Sequence, residues 1–381
     1  MKGSLQTKSG KYYAVFRVNG KQKWINLYVE DKRGNKRKAE TAMRELLQKY
    51  ENNPFLFEKT NFCEYINRWL ENTKTHIDLV TYTGYKQYVD NHIIPYFQVK
   101  KLNLQDIRMS HIEEYYNVKA QGGRLDGRDG GLSLRSIQLH ATVLSLVFKY
   151  AIREGLIKDN PVELAQFPNI QHTTSRDNFY TVDECKKLLE LSEGTPLHDI
   201  MIVTLYYGLR RSEVMGLRWI DVDFNKSTLT IQHTRVVNSI VVVKDKTKTQ
   251  CSNRVYPLID EVKNILLKLK SEQEDQKNLL ANQYTDSGYI FVNDFGNPYH
   301  PAYPSQMLYK LMKKHPEIKH ITYHGLRHSA ASMLLARNRS MKAISEWLGH
   351  SNIGITMNLY THIDMESKRT RANSLNGLLT R

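Results

Sequence analysis

The chain has 381 residues, of which 40% are hydrophobic and 25% charged; this is typical of a globular protein of two or three domains. No apolar run approaches a membrane span and the N-terminus lacks the apolar core of a signal peptide, so we expect a cytoplasmic protein without membrane contacts. Three scattered cysteines argue against a disulfide framework and against a metal cluster. The net charge of +16 favours a polyanionic partner, and residues 1–50 carry 13 basic against 4 acidic side chains.

The first predicted element is a β-hairpin. Residues 11–28 have the pattern of two strands joined by a type I′ turn at Asn19-Gly20, and helical spacing follows at 38–50. We therefore predict a small basic domain over residues 1–54, built as a three-stranded sheet plus one helix. Its aromatic residues form a small core, and a two-stranded ribbon of this kind can also enter the major groove of DNA. The basic residues that we expect on DNA there are Arg17, Lys21 and Lys23.

Residues 58–167 are predicted to form a helical bundle, and the family resemblance described below implies that it is a core-type DNA-binding domain. Its clearest helix begins after the N-cap Ser133 and continues to about Glu154, with apolar residues at alternating spacings of three and four. The Gly-rich residues 121–131 are predicted to be a flexible connection. A helical spacer or an oligomerisation module remains an alternative for this bundle. A polar linker is predicted at 168–177.

The remaining residues, 178–381, are predicted to form a mixed α+β domain with a C-terminal tail. An apolar helix ends at Gly208 and the next begins near Arg211, which places Arg210 at the junction. Arginine at such a place can donate two parallel hydrogen bonds to a phosphate, and Glu213 can orient it. Alone, Arg-x-x-Glu is also a common surface pair.

The next motif is a predicted strand pair, 229–237 and 241–258, with several cations at its connection. Those cations are Lys244, Lys246, Lys248 and Arg254. A lysine on such a hairpin can bind phosphate or donate a proton, and a solvent-facing charged tip is the alternative.

The final motifs lie between Tyr323 and Tyr360. His324 and His328 have a spacing that also suits zinc, but no acidic third ligand follows, so we expect no metal. His324 and Arg327 share one helical face, and Gly349-His350 ends the next helix. Tyrosine at position 360 is more often a packed core residue, and its proximity in sequence to histidines and arginines favours a catalytic role.

Taken in order, R-x-x-E, K-T-x-x-S-x-R-x-x-P, H-x-L-R-H and L-G-H followed ten residues later by Tyr resemble the motifs of the tyrosine recombinase (phage integrase) family. The resemblance covers the whole C-terminal domain, and the domain arrangement is similar to that of integrases from phages and conjugative transposons. It implies a multidomain, mainly α fold with small β-sheets: a sheet-plus-helix N-terminal domain, a helical core-binding bundle and a mixed α+β catalytic domain.

The resemblance also implies the catalytic set, which is Arg210, Lys248, His324, Arg327, His350 and Tyr360. Tyr360 would attack the scissile phosphorus and form a 3′-phosphotyrosyl enzyme without metal, ATP or another cofactor. Lys248 fits the family spacing before Ser252, while Lys246-Thr247 is a near duplicate.

The implied function is site-specific strand exchange on double-stranded DNA. We expect core sites and separate arm sites on the DNA, a homotetramer, and an accessory factor that sets direction. Two alternatives remain from the sequence: a type IB topoisomerase that religates the same strand, and a DNA-binding regulator with a decayed catalytic domain.

Overall fold

The computed structural model of the protein describes residues 3–18, 21–52, 59–170, 178–238, 240–244 and 254–349. The chain divides into two compact units, Met1–His172 and Thr173–Arg381. The finer division into three domains stays a prediction. Among the described residues, no helix has the length and hydropathy needed to cross a membrane.

The elements of the first unit follow one another in a simple order. They are β1 (Gly3–Lys8), β2 (Lys11–Val18), β3 (Lys21–Glu30), α1 (Lys36–Asn52), α2 (Phe62–Thr73), α3 (Leu79–Tyr88), a π-helix (Val89–Ile93), α4 (Ile94–Lys100), a 3₁₀ turn (Leu104–Asp106), α5 (Met109–Gln121) and α6 (Leu134–Arg153).

The second unit alternates helices with short strands. Its elements are α7 (Val182–Ser192), α8 (Pro196–Tyr207), α9 (Arg211–Val214), a 3₁₀ turn (Trp219–Asp221), β4 (Val222–Asp223), β5 (Thr228–Ile231), β6 (Thr234–Asn238), β7 (Ile240–Lys244), β8 (Arg254–Pro257), α10 (Asp260–Leu280), a 3₁₀ turn (Ala281–Gln283), α11 (Tyr303–Lys314), α12 (Tyr323–Ala336) and α13 (Met341–Leu348).

The N-terminal sheet is antiparallel, in the order β1-β2-β3, and α1 covers one of its faces. Ala14 and Phe16 are buried on that face, because alternate residues of a strand point to the same side. They pack with the apolar residues Ile25, Leu27, Met43, Leu46 and Leu47. The predicted sheet-plus-helix arrangement is therefore confirmed.

The helical bundle is organised by α6. The Ser133 hydroxyl accepts a hydrogen bond from the Ser136 N–H at 3.2 Å, and Gly155 takes a positive φ of 70° just after the helix. Between these ends, one stripe of α6 is buried from Ile137 to Ala151. The cap and the apolar period are both as predicted. Residues 122–131 contain no helix or named strand.

The second unit is built around α8, which contacts α7, α10, α11 and α12. Most of its residues are buried, so this helix is apolar on nearly all sides, as expected for a central helix. Three helices that contact α8 follow it by more than fifty positions in the sequence. The centre of the unit therefore joins segments that are distant in the chain.

The predicted strand pair at 229–258 is confirmed, but each of its two strands is divided into two shorter segments. Strand β5 pairs with β8, from Thr228–Pro257 to Ile231–Arg254, in a sheet with the order β4-β5-β8. Strands β6 and β7 pair with each other as a separate ribbon between them in sequence. The first long strand is broken at positions 232 and 233, a break that strand propensity along 228–238 does not reveal.

Candidate active site

The first predicted arginine occupies the turn between α8 and α9. Gly208 ends α8 with φ of 61°, and a Cβ there would lie 2.2 Å from Cδ2 of Leu348, so this close turn requires glycine. Arg210 is the N-cap of α9, and its backbone N–H donates to Oε2 of Glu213 at 2.8 Å. Its Nη1 donates to Oε1 of the same carboxylate at 2.7 Å. The turn therefore fixes both the backbone and the guanidinium of Arg210.

Glu213 holds more than one arginine. It is 2% exposed, and Nη2 of Arg254 donates to its Oε2 at 3.0 Å. Nη1 of Arg327 lies 3.9 Å from the same oxygen. Burial alone would raise the pKa of the Glu213 carboxyl, but Arg254 and Arg210 outweigh it and lower that pKa. Glu213 is thus a buried carboxylate shared by three cations.

Arg327 is the largest of the fully buried side chains, at 1% exposure on α12. Its Nη1 donates to the backbone oxygen of Gly208 at 2.7 Å, and its Nη2 to that of Leu348 at 2.6 Å. Burial and the nearby charge of Arg210 lower the pKa of Arg327 to about 9, so the group is still protonated at neutral pH. Arg327 joins the end of α8 to the end of α13.

Arg254 does not lie in the connection between the two strands, where the sequence analysis placed it. It begins β8, is only 9% exposed, and its Nε donates to the Tyr256 hydroxyl at 2.7 Å. That hydroxyl in turn contacts the backbone oxygen of Trp347. The alternating burial of β8 turns Arg254 inward toward Glu213, and no local pattern in the sequence indicates this burial.

His324 lies in the first turn of α12. The Thr322 hydroxyl caps this helix by accepting from the Gly325 N–H, and Asn178 in turn accepts from the Thr322 N–H at 2.8 Å. The imidazole remains exposed on one side, and its ring packs edge-on against His328 at 4.7 Å between centroids. Desolvation by the surrounding protein, with the charges of Arg327 and Arg210, lowers the pKa of His324.

The structure brings three of the six predicted catalytic residues to one place. Arg210 and His324 line the same cavity, and Arg327 lies directly behind them. Lys248, His350 and Tyr360 lie outside the described residues. In the part of the chain that the structure describes, no cluster of histidine, cysteine and carboxylate side chains suits a metal ion.

The charges at this place do not cancel. Among the described residues, Arg210, Arg254 and Arg327 surround the carboxylate of Glu213, which leaves an excess of two positive charges. Since buried charge without a counter-ion is costly, such a site favours an anion. A phosphate matches the planar, multiple-donor geometry of guanidinium groups.

The three basic residues of the N-terminal sheet that were predicted to contact DNA differ in their position. Arg17 is exposed, on the strand face opposite Ala14 and Phe16. Lys23 pairs with Phe16 across the sheet, so it lies on the face that α1 covers. The side chain of Lys21 is outside the described residues. On the open face, Tyr13 and Trp24 pack edge-on at 6.2 Å, and Lys8 lies 5.9 Å from the Trp24 ring.

Comparison with known proteins places this geometry in a family. Residues 178–367 match the Phage integrase family, and residues 61–119 match the phage integrase N-terminal SAM-like domain. The chain is 27% identical to a tyrosine recombinase XerC-like protein of Caldanaerobacter subterraneus subsp. tengcongensis, covering 97% of both chains. It is 26% identical to the ICEBs1 integrase of Bacillus subtilis, covering 78% of each.

Among solved structures, the Tn1549 transposon integrase in complex with circular intermediate DNA superposes with a TM-score of 0.67. The two share 22% sequence identity, and the match covers 83% of this chain and 99% of that one. At this identity the likeness establishes the fold. Together with the family matches, it shows that the chain belongs to the phage integrase family of tyrosine recombinases, which are site-specific enzymes that break and rejoin DNA.

Proposed function

We propose that this recombinase integrates and excises a mobile DNA element through a 3′-phosphotyrosyl intermediate. The observation that carries the proposal is the arginine cluster around Glu213, which holds Arg210 and Arg327 in fixed positions and leaves an excess of positive charge. The similarity to the ICEBs1 integrase and to the Tn1549 transposon integrase supports a mobile element as the substrate.

In the proposed reaction, Tyr360 attacks the scissile phosphorus and releases a free 5′-hydroxyl. Arg210, Arg327 and His350 stabilise the negative charge on the non-bridging oxygens, where each fixed donor contributes about 3 kcal/mol. The guanidinium of Arg210 is held by Glu213, so it needs no reorganisation when charge develops.

Two further groups move protons in this scheme. Lys248 protonates the departing 5′-oxygen, and His324 assists proton transfer at Tyr360 and the phosphate. The lowered pKa of His324 keeps its imidazole neutral at neutral pH, as proton acceptance requires. The phosphotyrosine conserves the energy of the broken bond, so a second 5′-hydroxyl reverses the step on a new partner.

The proposed partners follow from this chemistry. Exchange between two duplexes cuts four strands, and with one Tyr360 per chain it needs a homotetramer on DNA. The first unit supplies contacts to core sites through its helices and to separate arm sites through the basic sheet of residues 3–30. An accessory protein that bends DNA between these sites would set the balance of integration and excision.

The test uses a suicide duplex that is nicked next to the cleavage site, so that the released oligonucleotide diffuses away. We expect the full-length protein to form a covalent adduct in the presence of EDTA, and Tyr360→Phe to form none. Arg210→Lys should slow adduct formation about 100-fold, because lysine cannot reproduce the paired donors.

The matched control is Arg339→Lys, which makes the same change at an exposed arginine outside the site and should leave the rate unchanged. Two intact duplexes that carry the site should exchange strands and give recombinant products, whereas a topoisomerase would reseal each parental duplex. A parent protein that forms no adduct under these conditions would overturn the proposed function.

A further inference from the structure

A cavity of about 400 Å³ extends from the candidate active site toward α11. Two of the proposed catalytic residues, Arg210 and His324, form one end of it. Its other lining residues include Arg211, Ser212, Arg235, Ser305 and Thr322. None of its described lining residues is acidic, so the cavity is both positively charged and continuous with the place where a scissile phosphate would lie.

Arg211 differs from its neighbours in how it is held. Arg210 and Arg254 are paired with Glu213, whereas Arg211 forms no ion pair with any described residue. Its Nη1 instead donates to the Ser305 hydroxyl at 2.9 Å, which ties the guanidinium to α11. The side chain is exposed, and four of its five N–H donors are left by this hydrogen bond. Arg211 is therefore a positioned cation that has no acidic partner in the part of the chain that the structure describes.

Arg235 adds to the charge from inside the protein. It is 6% exposed, and its Nη1 donates to the backbone oxygen of Tyr299 at 3.0 Å. Its guanidinium also lies 4.8 Å from the centre of the Tyr289 ring. Neither of these partners carries a negative charge, and no acidic side chain among the described residues pairs with Arg235, so it adds positive charge to this wall. Charge inside a cleft with protein walls focuses the potential on an anion.

The two consecutive arginines point to different parts of the fold. Arg210 reaches Glu213 and the Gly349 oxygen, and Arg211 reaches Ser305. Both arginines nevertheless line the same cavity. A DNA strand whose scissile phosphate lies on Arg210 therefore carries an adjacent phosphate along the wall that Arg211 forms.

We propose that Arg211, held by Ser305, binds the phosphate adjacent to the scissile one on the cleaved strand. This inference rests on the proposed function. Arg211 is a positioning residue: by holding the neighbouring phosphate it orients the scissile one for in-line attack, and a small error in that alignment costs rate.

The experiment replaces single phosphates by neutral methylphosphonates in the suicide duplex, at the positions 5′ and 3′ of the scissile phosphate. The rate of adduct formation is measured for the full-length parent and for Arg211→Ala. We expect about a 10-fold loss from Arg211→Ala and about a 10-fold loss from the methylphosphonate at one of the two positions. Combined, the two changes should still cost about 10-fold, since each removes the same contact.

Two outcomes would overturn the inference. In the first, Arg211→Ala and the methylphosphonate together cost about 100-fold at each of the two positions, as independent effects would. In the second, Arg211→Ala loses no rate. Arg211→Lys keeps the charge and should lose less than the alanine variant. The matched control is Lys313→Ala, which removes an exposed cation at the other end of α11 and should multiply with the methylphosphonate effect or leave the rate unchanged. Circular dichroism confirms that each variant is folded. Failure of the proposed function is distinguishable, because the parent would then form no adduct even on unmodified DNA.

Discussion

Replacing Glu213 by glutamine should destabilise the second unit, because this carboxylate is the buried partner of the arginine cluster. It is 2% exposed and accepts from the backbone N–H and Nη1 of Arg210 and from both terminal nitrogens of Arg254. Glutamine keeps one oxygen, but its amide nitrogen would face arginine donors. Two charge-assisted hydrogen bonds are lost, and Arg254 stays buried without a counter-ion.

Each such hydrogen bond contributes about 1.5–3 kcal/mol, and breaking a buried ion pair on one side costs about 3–5 kcal/mol. We therefore expect the free energy of unfolding to fall by about 3 kcal/mol at pH 7. The pKa of Glu213 is lowered in the folded protein, so its contribution is present above its ordinary pKa of 4.5 and is lost as pH falls through the folded value. The difference between parent and variant should shrink accordingly in acid.

Urea unfolding followed by circular dichroism at neutral pH and near pH 4 measures both effects, provided that the m-value is unchanged. The matched control is Glu190→Gln, at an exposed position on α7, which should stay within about 0.5 kcal/mol of the parent. A Glu213→Gln protein as stable as this control at neutral pH would refute the role assigned to the carboxylate.

Three further predictions concern the turn at α13, the catalytic histidine and the N-terminal sheet. Gly349→Ala should lower the free energy of unfolding by about 2–4 kcal/mol, because φ is 66° at this position and the added methyl would lie 2.3 Å from Nη1 of Arg254. Gly288→Ala is the control: φ there is 72°, but the space around the added methyl is open, so thermal unfolding of this variant measures the backbone cost alone, about 1–2 kcal/mol. The rate of adduct formation by the parent should fall below pH 6.5, because His324 then becomes protonated and can no longer accept a proton. His324→Gln should slow adduct formation about 100-fold and remove this fall. A parent rate that rises in acid would contradict a neutral imidazole. Arg17→Ala should reduce the slope of log affinity for duplex DNA against log salt concentration by about 0.9, and Lys23→Ala should reduce it by less. Fluorescence anisotropy measures both slopes. Equal effects would argue against the open face of the sheet as the DNA-binding face.

Local signals in the sequence predicted local structure well. Ser133 caps α6 as expected, since an N-cap depends only on residues three positions away, and Thr181 caps α7 in the same way. The Arg-x-x-Glu spacing also led directly to the hydrogen bonds between Arg210 and Glu213. Motifs whose residues contact each other within one helical turn could therefore be interpreted without knowledge of the fold.

Non-local features were not predictable in the same way. The division of the strand pair into β5–β8 and β6–β7 depends on a break at positions 232 and 233, which strand propensity does not reveal. The burial of Arg254 likewise follows from that pairing and from Glu213, 41 positions earlier. A charged residue in a basic loop sequence becomes a core residue only when a distant carboxylate is brought to it.

The bonds from Arg327 to Gly208 and from Arg210 to Gly349 span 119 and 139 positions of the chain. During synthesis, the N-terminal unit and α8 leave the ribosome before the segments that complete these bonds, and domains fold in that order. The arginine cluster therefore assembles only after residue 349 has been synthesised. Cleavage of DNA, which depends on that cluster in the proposed function, does not begin on a shorter nascent chain.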